Sequence, residues 1–269
     1  MLLPGRPVDF LLECIGFPPE QDHAALIELA LSEGEAVPRR GDPANHRRLA
    51  LGEGLELRLD REPGQEFWTL LPAFQVPHRL RIATESLRSV PDSPSDVLLT
   101  GWACPPPPGD EGSAPGAYQL TTWLTDSRRL TRSLRQGHIL AISRAGFALN
   151  VDYVGPNEGV KEPGILENRR GAHLQPLGGP DDPGGCTEVS LRIQSIRHMQ
   201  NRLTGLGVEL LVCDAPGRPL LLFVSPWQLA GDGLAAPRPG WRVEGTFLFT
   251  GVIAGGLPGP KDSARGRFG

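Results

Sequence analysis

LALGEGLELRLD (residues 49–60) and LAISRAGFALNVD (residues 140–152) are two similar stretches, and their likeness organises the reading of the chain. In the first, Leu55, Leu57 and Leu59 alternate with Glu56, Arg58 and Asp60. In the second, Phe147, Leu149, Val151 and the following Tyr153 alternate with Ala148, Asn150 and Asp152. Period-two alternation places apolar groups on one face of a pleated strand and polar groups on the other. Each stretch therefore reads as a β-hairpin, the second with one residue inserted.

Outward from these hairpins the same order of elements is read twice. Ahead of the first, Val8, Phe10, Leu12 and Cys14 alternate with Asp9, Leu11 and Glu13, which predicts a strand. A helix over about 20–33 follows, with Leu26, Ile27, Ala30 and Leu31 on one face, Pro18-Pro19 before it and Gly34 after it. Ahead of the second, Tyr118–Leu124 reads as a strand. Asp126 is placed to cap a helix bearing Leu130 and Leu134, because its carboxylate can accept the free amides of a first turn; Gly137 ends that helix. Strand-helix-strand-strand units at 8–60 and 117–154 thus make a pseudo-repeat. The stretch 76–84, with His78, Leu80 and Ile82 on one face, supplies a fourth strand to the first unit.

Composition supports many short elements. The chain of 269 residues holds 34 Gly and 28 Pro, with 39% hydrophobic residues, enough for real cores and against a helical bundle. The predicted domains are tandem modules at 1–155, a Gly/Pro-rich polar linker at 156–185, an all-β domain at 186–256 and a mobile tail at 257–269. Within 186–256, Val189, Leu191 and Ile193 alternate. GVELLVCD and PLLLFVS read as buried strands joined through Pro216-Gly217, SPWQLAGD as a short helical connector and PRPGWRVEGTFLFTGVI as one or two further strands. The expected fold class is α+β: tandem βαβββ-like modules followed by a small β-barrel.

Formal net charge is −4, and the only lysines are Lys161 and Lys261, so the arginine excess reads as coding bias. An acidic balance disfavours nucleic acid as the main partner. No apolar run reaches the roughly 20 residues of a membrane span. MLLPGRPVDF is not a signal peptide, so a cytoplasmic location is expected. Cys14, Cys104, Cys186 and Cys213 form no CxxC pair and read as reduced, mostly buried thiols. His23, His46, His78, His138, His173 and His198 make no chelating spacing, and no phosphate-cradling glycine loop or nucleophile elbow occurs. No metal or other cofactor is expected. Arg128, Arg129, Arg132 and Arg135 suit the solvated face of a helix.

Paired βαβββ units resemble the vicinal-oxygen-chelate (glyoxalase-like) architecture over residues 8–155, through element order alone. That resemblance implies a cupped sheet with ligands from first and fourth strands, where this chain offers Glu13, Gln119, His78 and Glu85. Residues 186–256 resemble an oligonucleotide/oligosaccharide-binding barrel, in which Arg192, Arg197, Arg202, Trp227, Trp241 and Arg242 could serve as a stacking or contact surface. The preferred reading is a non-catalytic binding protein, an adaptor, regulator or assembly component. It would use Trp227, Trp241, Arg192 and Arg242 against a protein partner or a second copy. A glyoxalase-like small-molecule enzyme or binder built on Glu13, His78 and Gln119, and a single-stranded nucleic-acid binder built on the barrel, are the alternatives.

Overall fold

The computed structural model describes residues 9–37, 45–62, 64–90, 93–107, 115–125, 130, 134–155, 172–178, 183–231 and 233–257. The chain starts with a short helix α1 (Asp9–Glu13) and then α2 (His23–Glu33). α2 begins three residues later than the expected start at about 20, because Asp22 Oδ1 accepts from the amides of Ala24 and Ala25 at 2.9 and 3.3 Å, satisfying donors no helical carbonyl can reach. β1 (Glu35–Ala36), β2 (His46–Gly52), β3 (Leu55–Asp60) and β4 (Thr69–Phe74) then form a four-stranded antiparallel sheet in sequence order. The β2–β3 turn has Glu53 and Gly54 both at positive φ, 51° and 86°, the geometry whose twist matches paired strands. At the far end of that hairpin the buried His46 Nδ1 lies 2.8 Å from Asp60 Oδ1 across the ladder.

A larger sheet of nine strands takes up the rest. Its members are β5 (Leu80–Val90), β6 (Ser93–Ala103), β7 (Tyr118–Leu124), β8 (Ile139–Val154), β9 (His173–Gly178), β10 (Pro183–Gln200), β11 (Gly207–Cys213), β12 (Leu220–Val224) and β13 (Arg242–Gly255), with α3 (Pro226–Gly231) between the last two. Two closed circuits run through this sheet. In one, β5, β6 and β7 pair antiparallel in turn, β7 pairs parallel with β13, β13 antiparallel with β8, and β8 antiparallel with β5. In the other, β10, β11 and β12 pair antiparallel, β12 pairs parallel with β8, β8 with β13, and β13 with β10. Both rings share the β8–β13 pair, and each of these strands closes the ring begun by the other's neighbours.

The registers make the two rings near-copies. Gly146 opposes Phe249, and about that point Phe147 opposes Leu248 as Thr250 opposes Ala145, while Arg144 opposes Gly251 as Phe247 opposes Ala148. Both rings carry a bulge at the same place, after Thr84 on β5 and after Ile193 on β10. Both open their shared strand identically. Gly137 N donates to Thr84 O and Thr84 N to His138 O; Gly240 N donates to Ile193 O and Ile193 N to Trp241 O. Gly146 is needed at the centre, since a Cβ there would stand 2.7 Å from a Leu222 methyl and 2.8 Å from the Phe249 ring.

Four sequence-based expectations are corrected. The chain is mostly β: among the described residues the helices span only 5, 11 and 6 residues, so the balanced α+β class is overturned. Residues 9–13 are helical, not a strand, and Leu11, Leu12, Cys14 and Ile15 are all buried, as a helical turn wedged into a core requires. The expected second hairpin is one continuous 16-residue strand, β8. Tandem units at 8–60 and 117–154 followed by a separate barrel are not found, because the repeating pieces are 80–154 and 183–255 and one sheet runs through both. Most of the expected second helix, with Arg128, Arg129 and Arg132, lies outside the described residues, and Leu130, Leu134 and Arg135 are not helical. In the stretch read as a linker, 156–171 and 179–182 lie outside the described residues, while β9 and the start of β10 are ordered into the sheet. Residues 258–269 of the expected tail also lie outside them.

The four-stranded sheet packs on the outer side of β12, β8 and β13. Phe74 meets Phe223 edge-on at 5.0 Å, Phe223 stacks on Phe147 at 5.1 Å, and Thr250 Oγ1 donates to Pro72 O at 2.9 Å. All five residues of β12 are buried in consequence. α1 is held against the same region by Ser225 Oγ donating to Glu13 Oε2 at 2.7 Å and by the Cys14 thiol on Ala148 O. No helix among the described residues is long and apolar enough to cross a membrane.

Candidate functional site

Among the described residues, two concave features bring polar side chains against apolar walls. The larger is a groove of about 220 Å³ beside α3, formed where the β10–β11 hairpin meets the helix. Met199, Leu206, Val208, Pro226 and Trp227 wall it. The hairpin is positioned by Asn201, fully buried, whose side-chain amide donates to Ile15 O at 2.8 Å and whose Oδ1 accepts from the amides of Leu203 and Thr204. α3 is fixed at its start by Ser225 Oγ, which accepts from Gln228 N, and by Gln228 Nε2 donating to Leu149 O. Apolar walls are thus set on a rigid frame.

Glu209 gives this groove its one strong acceptor. Its Oε1 stands 4.0 Å from His198 Nδ1 at the exposed rim, while its Oε2 is buried without a hydrogen-bond partner among the described residues. The hydroxyl of Tyr153 is also buried and unpartnered; burial pushes that phenol far up, and the neighbouring Glu209 charge adds to the effect. A carboxylate oxygen in this setting costs free energy until a donor reaches it.

The second feature is a notch of about 10 Å³ where the segment before β5 crosses the start of β12. His78 Nε2 donates to Pro219 O here at 3.0 Å, and Arg144, Arg218 and Leu220 line the walls. Arg144 is 5% exposed. Its guanidinium lies 4.9 Å from the Phe249 ring and Nη2 reaches Tyr118 Oη at 3.4 Å, but Nε and Nη1 have no partner among the described residues. Burial lowers its pKa from the ordinary arginine value, opposed by nearby Tyr118 and Cys104. Both of those acids are themselves pushed up by burial.

The sequence-derived candidates fall in separate places. Glu13 is buried and bonded to Ser225, Gln119 donates to Glu85 on β5, and His78 is committed to Pro219 O, so these three do not converge on a cup. Among the described residues no three His, Cys, Asp or Glu side chains gather as a metal would need. Arg192 and Arg242 oppose each other across β10 and β13, and Arg242 is bound to Ser190. Trp241 follows on with Arg238 over its ring at 5.5 Å. Trp227 belongs instead to the groove. Glu209 and Arg144, two of the polar groups with unmet bonding capacity at these features, were not singled out from sequence. Only the pairing of strands shows that Arg144 and one carboxylate oxygen of Glu209 are buried. In comparisons of the chain with family models, with curated proteins and with solved structures, nothing matches.

Proposed function

We propose that this chain is a non-catalytic protein-binding component whose contact point is the Trp227 groove. The observation that carries this reading is the groove's size and chemistry together. Sites for drug-sized ligands run to about 300–1,000 Å³, whereas about 220 Å³ suits a single large side chain. Apolar walls with one buried, unpartnered carboxylate oxygen favour a side chain with an apolar body and a donating tip, the kind of anchor that concentrates binding energy at protein interfaces. The partner is therefore a protein presenting such an anchor.

The likeness of the 186–256 region to an oligonucleotide/oligosaccharide-binding barrel draws support from its winding. Three antiparallel strands, a helix and a fourth strand are closed by a parallel fifth, here lent by β8. In such barrels the face of the second and third strands takes the ligand. Here β12 is packed under Phe74 and crossed by the segment holding His78. β6 and β7 are approached by the start of β10, where Gly185 lies near Leu98 and Thr187 Oγ1 accepts from Thr121 N at 3.1 Å. That packing, with the acidic net charge of −4, favours a protein partner over nucleic acid.

The test places a photo-crosslinking residue at Gly207, where an added Cβ meets nothing within 4 Å. The expected result is one discrete protein adduct in cells, lost on Trp227→Ala. The adducted protein, once purified, should bind the full chain at least tenfold more weakly when Trp227 is Ala. Absence of any adduct, or micromolar binding of labelled single-stranded DNA or RNA at moderate salt, would overturn the reading.

A further inference from the structure

We propose that the notch beside Arg144 is a binding site for a single small anion of halide size, with chloride the expected occupant. The site is independent of the Trp227 groove. The argument begins from the two rings. At the place where the second ring seats Phe247, wholly buried, the first ring seats Arg144, so the backbone there accepts an apolar side chain and the charge is not a demand of the fold. A guanidinium cannot discharge itself by losing a proton under ordinary conditions. A buried, uncompensated charge is among the costliest features a core can hold.

Nothing in the described protein supplies the missing negative charge. Tyr118 and Cys104 are the acidic groups beside Arg144, and both are neutral there because burial raises them. Arg81, near Cys104, and Arg218, in the notch wall, add positive charge. The His78 ring nitrogen that faces the notch region already donates to Pro219 O. Nε and Nη1 of Arg144 are therefore the donors left over, and they want an acceptor bearing charge, which water does not.

Size selects the ion. A volume of about 10 Å³ is close to the minimum that holds one water-sized particle. Phosphate, sulfate and carboxylates are too large, while a single halide ion is near the size of a water molecule. Bound there, the ion would tie β8 to the start of β12 at the point where β8 passes from one ring to the other.

The experiment follows thermal unfolding of the full chain at constant ionic strength while sodium gluconate is replaced by sodium chloride, then by sodium sulfate. Ligand binding to the folded state alone should give a saturable rise of about 5 °C in chloride, whereas sulfate should give only the non-saturating rise of an excluded salt. Chloride-35 NMR should show line broadening by the wild type that Arg144→Met abolishes, and Arg218→Gln should weaken the chloride response without removing it. Equal midpoints in gluconate and chloride, a saturable response to sulfate of the same size, or a chloride response intact in Arg144→Met would each overturn the proposal. Should Arg144→Met fail to fold, the wild-type salt series and the line broadening decide by themselves.

Discussion

Arg144 on β8 and Phe247 on β13 occupy matching places about the Gly146–Phe249 pair, one charged and one apolar. The exchange of residue type therefore has opposite costs at the two sites. In chloride-free buffer, Arg144→Met should change stability by less than about 1 kcal/mol or raise it, because an apolar side chain replaces a buried unpaired charge. Phe247→Arg should cost more than about 4 kcal/mol, since it puts an unpaired charge where the native side chain is wholly buried. Urea unfolding of both variants checks the pair.

Gly146→Ala tests the shared strand pair at its centre. The added methyl would press on the Leu222 side chain and the Phe249 ring, members of different strands in a filled core. Overpacking of this kind costs about 1–3 kcal/mol. The loss should appear in one cooperative transition, because both rings lean on the same contact. Two separate transitions, only one of them shifted, would contradict the shared pair.

Thiol chemistry should single out Cys104. Cys14 is held by burial at a pKa of about 12 and Cys186 at about 11, while Cys213 is pushed up by burial further still. Cys104 is only partly buried, with Arg144 and Arg81 opposing the rise. A disulfide reagent at pH 8 should label Cys104 first in the native chain, and all four cysteines only after unfolding. Peptide mass mapping of the labelled protein reads this out.

Alkaline pH should weaken the fold from about the ordinary thiol value of 9.0 upward. The sign follows from proton counts: buried Cys14, Cys186 and Cys213 keep their protons in the folded chain, while the unfolded chain gives them up near 9, so stability is intact below that pH and falls above it. Each such thiol contributes a slope of about 1.4 kcal/mol per pH unit until its folded pKa is reached. Urea midpoints from pH 8 to 10.5 should decline, and Cys14→Ser should flatten the decline.

Local signals in this sequence were readable where they were self-contained. Pro18-Pro19 and Gly34 flank α2, the alternation of Leu55, Leu57 and Leu59 marks β3, and Pro216-Gly217 separates β11 from β12. The missed elements depend on partners far along the chain. Residues 9–13 carry a short apolar run whose periodicity fits strand or helix, and only packing on Ala148 and Ser225 decides it. Ser143-Arg144-Ala145-Gly146 looks like a turn, yet it is the crossing point of β8 between two rings, with Gly146 there for the Phe249 ring. The real repeat left a faint trace, Glu85-Ser86-Leu87-Arg88 against Gln194-Ser195-Ile196-Arg197, which the more conspicuous leucine hairpins overshadowed.

The lending of strands between rings has a consequence for how the molecule is made. β7 waits for β13, which follows every other strand of the sheet in chain order, so β5, β6, β7 and β8 leave the ribosome as an open sheet with unpaired edges. A nascent chain halted before Arg242 would hold both rings unclosed, each lacking the same strand. Closure waits until β13 has been made, and during that delay the growing polypeptide is at its most exposed to mispairing with its neighbours.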